Sequence, residues 1–330
     1  MKCRRVVLLL AVALLSAVGW TGESRAQAKI PRVGILSFGW GATEDAVRQR
    51  LEPFRRTLAD QGWTEGKNVS FEYRSAPTDP SQLAEFAAEL VRLKVDVIFA
   101  INAPGVHGAY DATATIPIVA LDFTSDPVAE GYIESYGRPG GNITGVFLHT
   151  PEIAGEWVKL LSAVVPGLSR VGVLWDPGPG PELLHAVQRA ARSSRVRAEV
   201  LELRKPDDIE RVFSMLPERR PQALIILPSL LAFLQGEQLA KLALKHRLPG
   251  VSMFHPFADA DGVFAYGPDQ VSSTERCATL VAKILGGAKP ADLPAEVPPR
   301  FVLVVNLKIA KALGLKVPDS VLVRADQVIR

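Results

Sequence analysis

Apolar positions along the chain fall into short runs that alternate with stretches of helical spacing. Arg32-Val33-Gly34-Ile35-Leu36 reads as a short buried strand. Thr43 then caps a predicted helix whose Val47, Leu51, Phe54 and Leu58 share one face and which ends at Gly62. A strand over 68–74, a helix after Pro80 carrying Leu83, Phe86, Leu90 and Val91, and a strand over 95–101 follow. A helix from about Pro104 and a strand over 116–121 complete a βαβαβαβ unit, the pattern of a parallel sheet covered by helices.

The second half repeats this order. Arg170-Val171-Gly172-Val173-Leu174 echoes Arg32-Val33-Gly34-Ile35-Leu36, and Leu248-Pro249-Gly250-Val251-Ser252 echoes Ile116-Pro117-Ile118-Val119-Ala120. Between them, 198–203 echoes 68–73 and 223–227 echoes 96–100, each about 130 residues after its counterpart. Any one echo is weak, because short apolar strands look alike. Four in sequence predict two similar α/β lobes rather than one large sheet.

The N-terminus has another logic. An apolar run over 6–18 lies behind Lys2, Arg4 and Arg5 and ahead of Ala26-Gln27-Ala28, the form of a cleaved export signal and too short for a membrane span of about 20 residues. Residues 1–28 are therefore expected to be removed and the mature chain to reside in the periplasm. Cys3 precedes the apolar run, so it is not a lipidation site. Removal takes Lys2, Arg4, Arg5 and Arg25 from 38 basic residues and Glu23 from 35 acidic ones, leaving 34 of each. A neutral mature chain argues against a nucleic-acid partner. Cys277, then the only cysteine, cannot form an intramolecular disulfide, and its helical stripe with Leu280, Val281 and Ile284 marks it as core.

Ligands of open parallel sheets bind beyond the carboxyl ends of the strands. In the first lobe those positions hold Ser37, Phe38 and Trp40, then Asn102 and Ala103, then Asp122, Phe123 and Asp126. In the second they hold Trp175 and Asp176, Ser229, and Phe254 with His255. Small residues and Asn opening a helix offer backbone N–H groups to an anion, and the aromatic residues offer an apolar wall. Catalytic patterns are missing: there is no G-x-S-x-G elbow, no Walker sequence and no His pair at ligand spacing. Of the histidines, His107, His185 and His246 are placed on solvated helix faces, His149 and His255 near the cleft. Nothing supports a paired-carboxylate hydrolase. No catalytic residue, cofactor or metal is expected.

Longer motifs then carry a resemblance. Gly62-Trp63-Thr64-Glu65-Gly66-Lys67-Asn68-Val69, Asp126-Pro127-Val128, Arg138-Pro139-Gly140-Gly141-Asn142-Ile143-Thr144-Gly145, Ala265-Tyr266-Gly267-Pro268, the 284–293 segment ILGGAKPADL, Val305-Asn306-Leu307, Ala312-Leu313-Gly314-Leu315 and Arg324-Ala325-Asp326 resemble, in order, the tryptophan/tyrosine-type solute-binding proteins of ABC transporters. The resemblance runs from about residue 31 to 328. It implies a type I periplasmic-binding-protein fold: two Rossmann-like α/β lobes with parallel sheets, joined by three crossover strands. Lobe one would comprise 29–145 and 263–300, lobe two 146–262 and 301–330. The crossings would fall at 142–146, 262–266 and 301–306, and Tyr266 joins the candidate ligand-binding residues.

The implied activity is extracytoplasmic solute binding for an ABC importer, with a permease and an ATPase as partners and a monomeric chain. The solute would be an aromatic or other amino acid or a small carboxylate, its ammonium held by Asp122, Asp126 or Asp176. His149 and Glu156 stand where relatives commonly carry Asp and Lys, which leaves the solute open. An alternative is a soluble periplasmic sensor that presents its ligand to a separate receptor. A repressor of similar fold would need a DNA-binding helix-turn-helix, and a receptor ectodomain a following membrane span; neither pattern is present up to Arg330.

Overall fold

The computed structural model describes residues 30–41, 43–148 and 151–330. The first lobe runs β1 (Arg32–Phe38), α1 (Glu44–Arg50), α2 (Glu52–Asp60), β2 (Ser70–Ala76), α3 (Leu83–Arg92), β3 (Val97–Ile101), α4 (Asn102–Ala112), β4 (Ile118–Asp122) and β5 (Ile143–Phe147). Its five strands form one parallel sheet in the order β2-β1-β3-β4-β5. The second lobe continues with α5 (Pro151–Val164), β6 (Arg170–Trp175), α6 (Glu182–Ser193), β7 (Arg197–Glu202), α7 (Asp208–Arg219), β8 (Ala223–Ile226), α8 (Leu230–Leu234), α9 (Gly236–Lys245), β9 (Gly250–Ser252), α10 (His255–Asp259) and β10 (Phe264–Pro268). Next, α11 (Gln270–Leu285) returns to the first lobe, before β11 (Phe301–Asn306), α12 (Leu307–Ala312), α13 (Asp319–Leu322) and β12 (Gln327–Ile329) finish the second. The second sheet has the order β12-β11-β10-β9-β8-β6-β7, parallel except that β11 runs against β10.

The repeated strands thus become β1, β2, β3, β4 and β6, β7, β8, β9, each set with the same relative order. The helix read over 43–62 is two helices. Thr43 caps the first, its Oγ1 accepting from Ala46 N at 3.2 Å, but Leu51 leaves helical geometry at φ −86° and ψ 5°. Pro53 has no N–H to continue the ladder and is tolerated only in the first turn of a new helix.

Strand pairing also extends past the expected crossings. Val146 and Phe147 are still registered with β4 in the first sheet. Strand β10, which spans the expected return at 262–266, is hydrogen-bonded on both sides into the second sheet. The chain rejoins the first lobe only in α11.

The inner strands of both sheets are buried on both faces, which is why they read as apolar runs, whereas the edge strands β2, β7 and β12 are mostly half-buried or exposed. On one face of the first sheet α2 and α11 place Phe54, Leu58, Cys277 and Leu280; on the other α3 and α4 place Leu83, Leu90 and Val106. Phe54 stacks on Phe99 of β3 with centroids 4.6 Å apart, and burying such a ring is worth about 2 kcal/mol. In the second lobe Trp157 of α5 is buried and its Nε1 donates to Tyr266 O at 2.9 Å, tying that helix to β10. Phe213 of α7 and Leu239 of α9 fill the opposite face.

Cys277 is fully buried against the first sheet, its thiol 3.5 Å from Ala120 O, and burial pushes its pKa far up. A native chain prepared without residues 1–28 is therefore expected to give no reaction with a thiol reagent, and one equivalent after denaturation. Rapid labelling of the native chain would contradict this packing.

Candidate functional site

Parallel strands in each lobe end at the same side, and the segments that follow them meet across a cavity of about 840 Å³. From the first lobe come Phe38 and Trp40 after β1, Asn102 and Ala103 after β3, and Phe123, Thr124 and Ser125 after β4. From the second come Asp176 after β6, Ser229 after β8, and Phe254 and His255 after β9. The start of α11 adds Gln270 and the buried Thr274.

Local geometry sets this up. Asn102 adopts φ +64°, an uncommon conformation for any residue but Gly, and its Nδ2 donates to Phe38 O at 2.7 Å. That contact fastens the end of β1 to the start of α4. Gly105 follows in α4, where a Cβ would come within 3.0 Å of Leu36 O, so the helix lies close on the sheet and presents its N-terminus to the cavity. Ser229 caps α8 by accepting from Ala232 N at 3.1 Å. Asp176 accepts from Gly178 N at 2.9 Å, closing the turn after β6.

Six aromatic rings of the described residues contribute to the walls. Phe233 and Phe254 pack edge to face at 5.3 Å on the second lobe, opposite Phe38, Trp40, Phe123 and Tyr132 of the first. Burial, with Glu130 and Asp122 nearby, pushes the Tyr132 phenol up, which keeps it a neutral hydrogen-bonding group. Charged groups at the lining are few: Arg50, Glu130 and Asp176. Phe123 packs against the cores of both lobes. Leu230 of α8 packs on the first lobe's core, and the Phe233 ring lies 3.0 Å from where a Cβ on Gly39 would stand. Helix α8 is thus a point of contact between the lobes at the cavity.

Of the candidate ligand residues, Phe38, Asn102, Ala103, Phe123, Asp176, Ser229 and His255 line this cavity, whereas Ser37, Asp122, Asp126, Trp175 and Tyr266 do not. Ser37 and Asp122 are fully buried within the sheet. Asp122 Oδ1 accepts from Thr124 N at 2.8 Å and Thr124 Oγ1 at 2.9 Å, so it shapes the loop that reaches the cavity. Asp126 is exposed and caps a turn through Val128 N at 2.9 Å. Trp175 and Tyr266 turn into the second lobe's core, Tyr266 stacking on Phe301 at 5.7 Å.

His149 lies outside the described residues. Glu156 is held by Lys159 at 2.8 Å and Arg324 at 2.6 Å, and it is not among the lining residues. His107, read as a solvated helix residue, is exposed and paired with Asp111 at 3.3 Å, yet also borders the cavity. The ring of His246 packs on Phe213, and His185 is exposed. Phe233, Tyr132 and Glu130 were not anticipated. Phe233 lies in α8, four residues beyond Ser229, and the other two lie in an irregular loop where no periodicity points anywhere.

Among the described residues no group of three or more His, Cys, Asp or Glu is placed to hold a metal ion. Nor is any helix of these residues long and apolar enough to cross a membrane. The arrangement can enclose a small molecule between aromatic walls and fix it by a few polar groups.

Comparison with known proteins agrees with that geometry. The family model for "ABC transporter substrate binding protein" matches residues 41–329. A tyrosine-binding protein of Clostridioides difficile (strain R20291) is 22% identical over 265 residues, covering 80% of this chain and 76% of that protein. Among solved structures, an ABC domain from Streptococcus pneumonia in complex with L-Trp superposes with a TM-score of 0.80 at 23% identity, over 91% of this chain and 99% of that one. A ligand-free, open substrate-binding protein with adhesive properties from Clostridium difficile gives 0.71 at 21% identity, over 91% and 99%. With a two-lobed type I periplasmic-binding-protein fold and a family match over residues 41–329, the chain belongs to the ABC transporter substrate binding protein family, which binds solutes and is not an enzyme family.

Proposed function

We propose that the protein is an extracytoplasmic receptor for an aromatic amino acid, which it delivers to the permease and ATPase of an ABC importer. The observation that carries this reading is the cavity between the lobes, walled by aromatic side chains from both. The L-Trp and tyrosine ligands of the two relatives point to the same solute class. The solute carboxylate sits at the N-terminal end of α4, at Asn102 and Ala103, where unpaired N–H groups favour an anion. Its ring lies between Phe38 and Trp40 on one side and Phe233 and Phe254 on the other, and Asp176 holds its ammonium.

Three connections between the lobes act as the hinge: one after β5, one between β10 and α11, and one between α11 and β11. Closure buries the solute, and the closed form is the one a permease would distinguish. The mature chain works as a monomer in the periplasm after loss of 1–28.

The test is thermal melting of the mature chain against amino acids, aromatic acids and small carboxylates. A solute at 100 times its dissociation constant stabilises by about 2.7 kcal/mol. L-tyrosine or L-tryptophan is expected to raise the melting temperature, with the compound recovered unchanged. A shift only with aliphatic or non-amino solutes would overturn the aromatic assignment.

A further inference from the structure

Three arginines occupy a backbone position that normally belongs to glycine. Arg195 (φ +58°) follows α6, Arg220 (φ +51°) ends α7 and Arg247 (φ +56°) follows α9, each in the left-handed turn that leads into β7, β8 or β9. The first lobe turns out of α2 through Gly62 at φ +90°, the ordinary choice, and out of α3 through a single left-handed lysine, Lys94 at φ +51°. A left-handed arginine carries a strain that glycine does not.

These turns share one end of one sheet. Strands β6, β7, β8 and β9 are parallel neighbours, registered Arg170 with Arg197, Val171 with Ala223 and Leu224 with Gly250. Their starts therefore lie side by side across about 15 Å, at the pole opposite the cavity. Arg197, Arg219 and Lys245 join the three arginines there, all exposed. Glu199 pairs with Arg197 at 2.9 Å and reaches Arg219 at 4.0 Å. Arg195, Arg220, Lys245 and Arg247 make no ion pair among the described residues, and Glu218 is the other acid of these turns. In a mature chain with 34 basic and 34 acidic residues, this is a local concentration of unneutralised charge. Charges this close repel within one screening length.

A favourable role for one such cation is to cap the negative end of its helix. That role needs neither arginine in the left-handed position nor three of them on one face. We propose that this pole of the second lobe is a docking surface for the anionic headgroups of a lipid bilayer. A protein interface is anchored by buried aromatic residues at its centre, and the exposed residues of these turns are charged residues, Ser and Pro, without an aromatic among them. Diffuse cationic charge suits a diffuse anionic surface. Docking by this pole uses the end of the second lobe opposite the cavity, so solute binding and lipid binding do not compete.

The test uses the mature chain and vesicles of phosphatidylglycerol mixed with phosphatidylcholine, or of phosphatidylcholine alone, in co-sedimentation. Binding to the anionic vesicles is expected to be about tenfold or more the stronger and to fall with added salt. The triple variant Arg195→Gly, Arg220→Gly, Arg247→Gly should lose about tenfold in that binding while keeping its melting temperature and solute affinity, because glycine is at home in the left-handed turn. The same three positions changed to Asn, which also tolerates this conformation, should lose binding equally; changed to Lys, they should keep it. Equal binding to both vesicle types, or unchanged binding by the glycine and asparagine variants, would overturn the proposal. Retention on immobilised polyglutamate with no vesicle binding would also overturn it, in favour of an acidic protein partner.

Discussion

Replacing Gly145 by alanine is expected to destabilise the mature chain by about 3 kcal/mol or more, read as a fall in the midpoint of urea unfolding. Gly145 is registered opposite Ala120 in the β4–β5 pair. A Cβ there would stand 2.1 Å from Ala120 O and 2.6 Å from Ala120 N, backbone atoms that cannot rotate away. The next element is also involved, because Glu296 N donates to Gly145 O at 2.8 Å and Phe147 N donates to Glu296 O at 2.9 Å. Opening the strand pair would disturb both β5 and the segment through Glu296 that is hydrogen-bonded to it. A loss under about 1 kcal/mol would mean that the strands are less tightly paired than the geometry requires.

The second large effect concerns the cavity. Phe233→Ala is expected to weaken binding of L-tyrosine or L-tryptophan by about tenfold to a hundredfold, with a small change in the stability of the solute-free chain. Phe233 is half-buried, so its removal leaves little cavity in the second lobe's own core. It also contributes one ring of the Phe233–Phe254 pair and a contact with the first lobe beside Gly39. Truncation thus removes a wall of the site and a contact made when the lobes approach. Titration of the variant beside the parent decides it: equal affinities would place the solute elsewhere in the cleft.

The inner strands of both lobes were legible because strands buried on two faces concentrate Val, Ile and Leu into runs that no amphipathic helix produces. The order of the second sheet's far edge was not. β11 runs antiparallel to β10 because α11 carries the chain to the other lobe and back, and such a long-range return leaves no local trace. The break between α1 and α2 had a visible cause in Pro53, outweighed in the reading by the unbroken spacing of Val47, Leu51, Phe54 and Leu58.

At the site, strand ends gave position but not direction. Ser37 and Asp122 lie at or next to the ends of strands buried on both faces and stay inside, while their neighbours Phe38 and Phe123 line the cavity. Trp175 and Tyr266 carry enough apolar surface to be drawn into the second lobe's core. Tyr132 and Glu130 come from an irregular loop whose course is set by contacts such as Tyr110 Oη with Gly131 O at 3.1 Å, distant in sequence.

The central claim is that the cavity between the lobes takes up one aromatic amino acid and does no chemistry on it. Isothermal titration of the mature chain with L-tryptophan and L-tyrosine at several temperatures tests it most directly. The account predicts saturable binding of one solute per chain with a negative heat-capacity change, as the aromatic walls and the ring leave water. No heat up to millimolar solute at any temperature, or heat that persists as turnover beyond one equivalent, would contradict it.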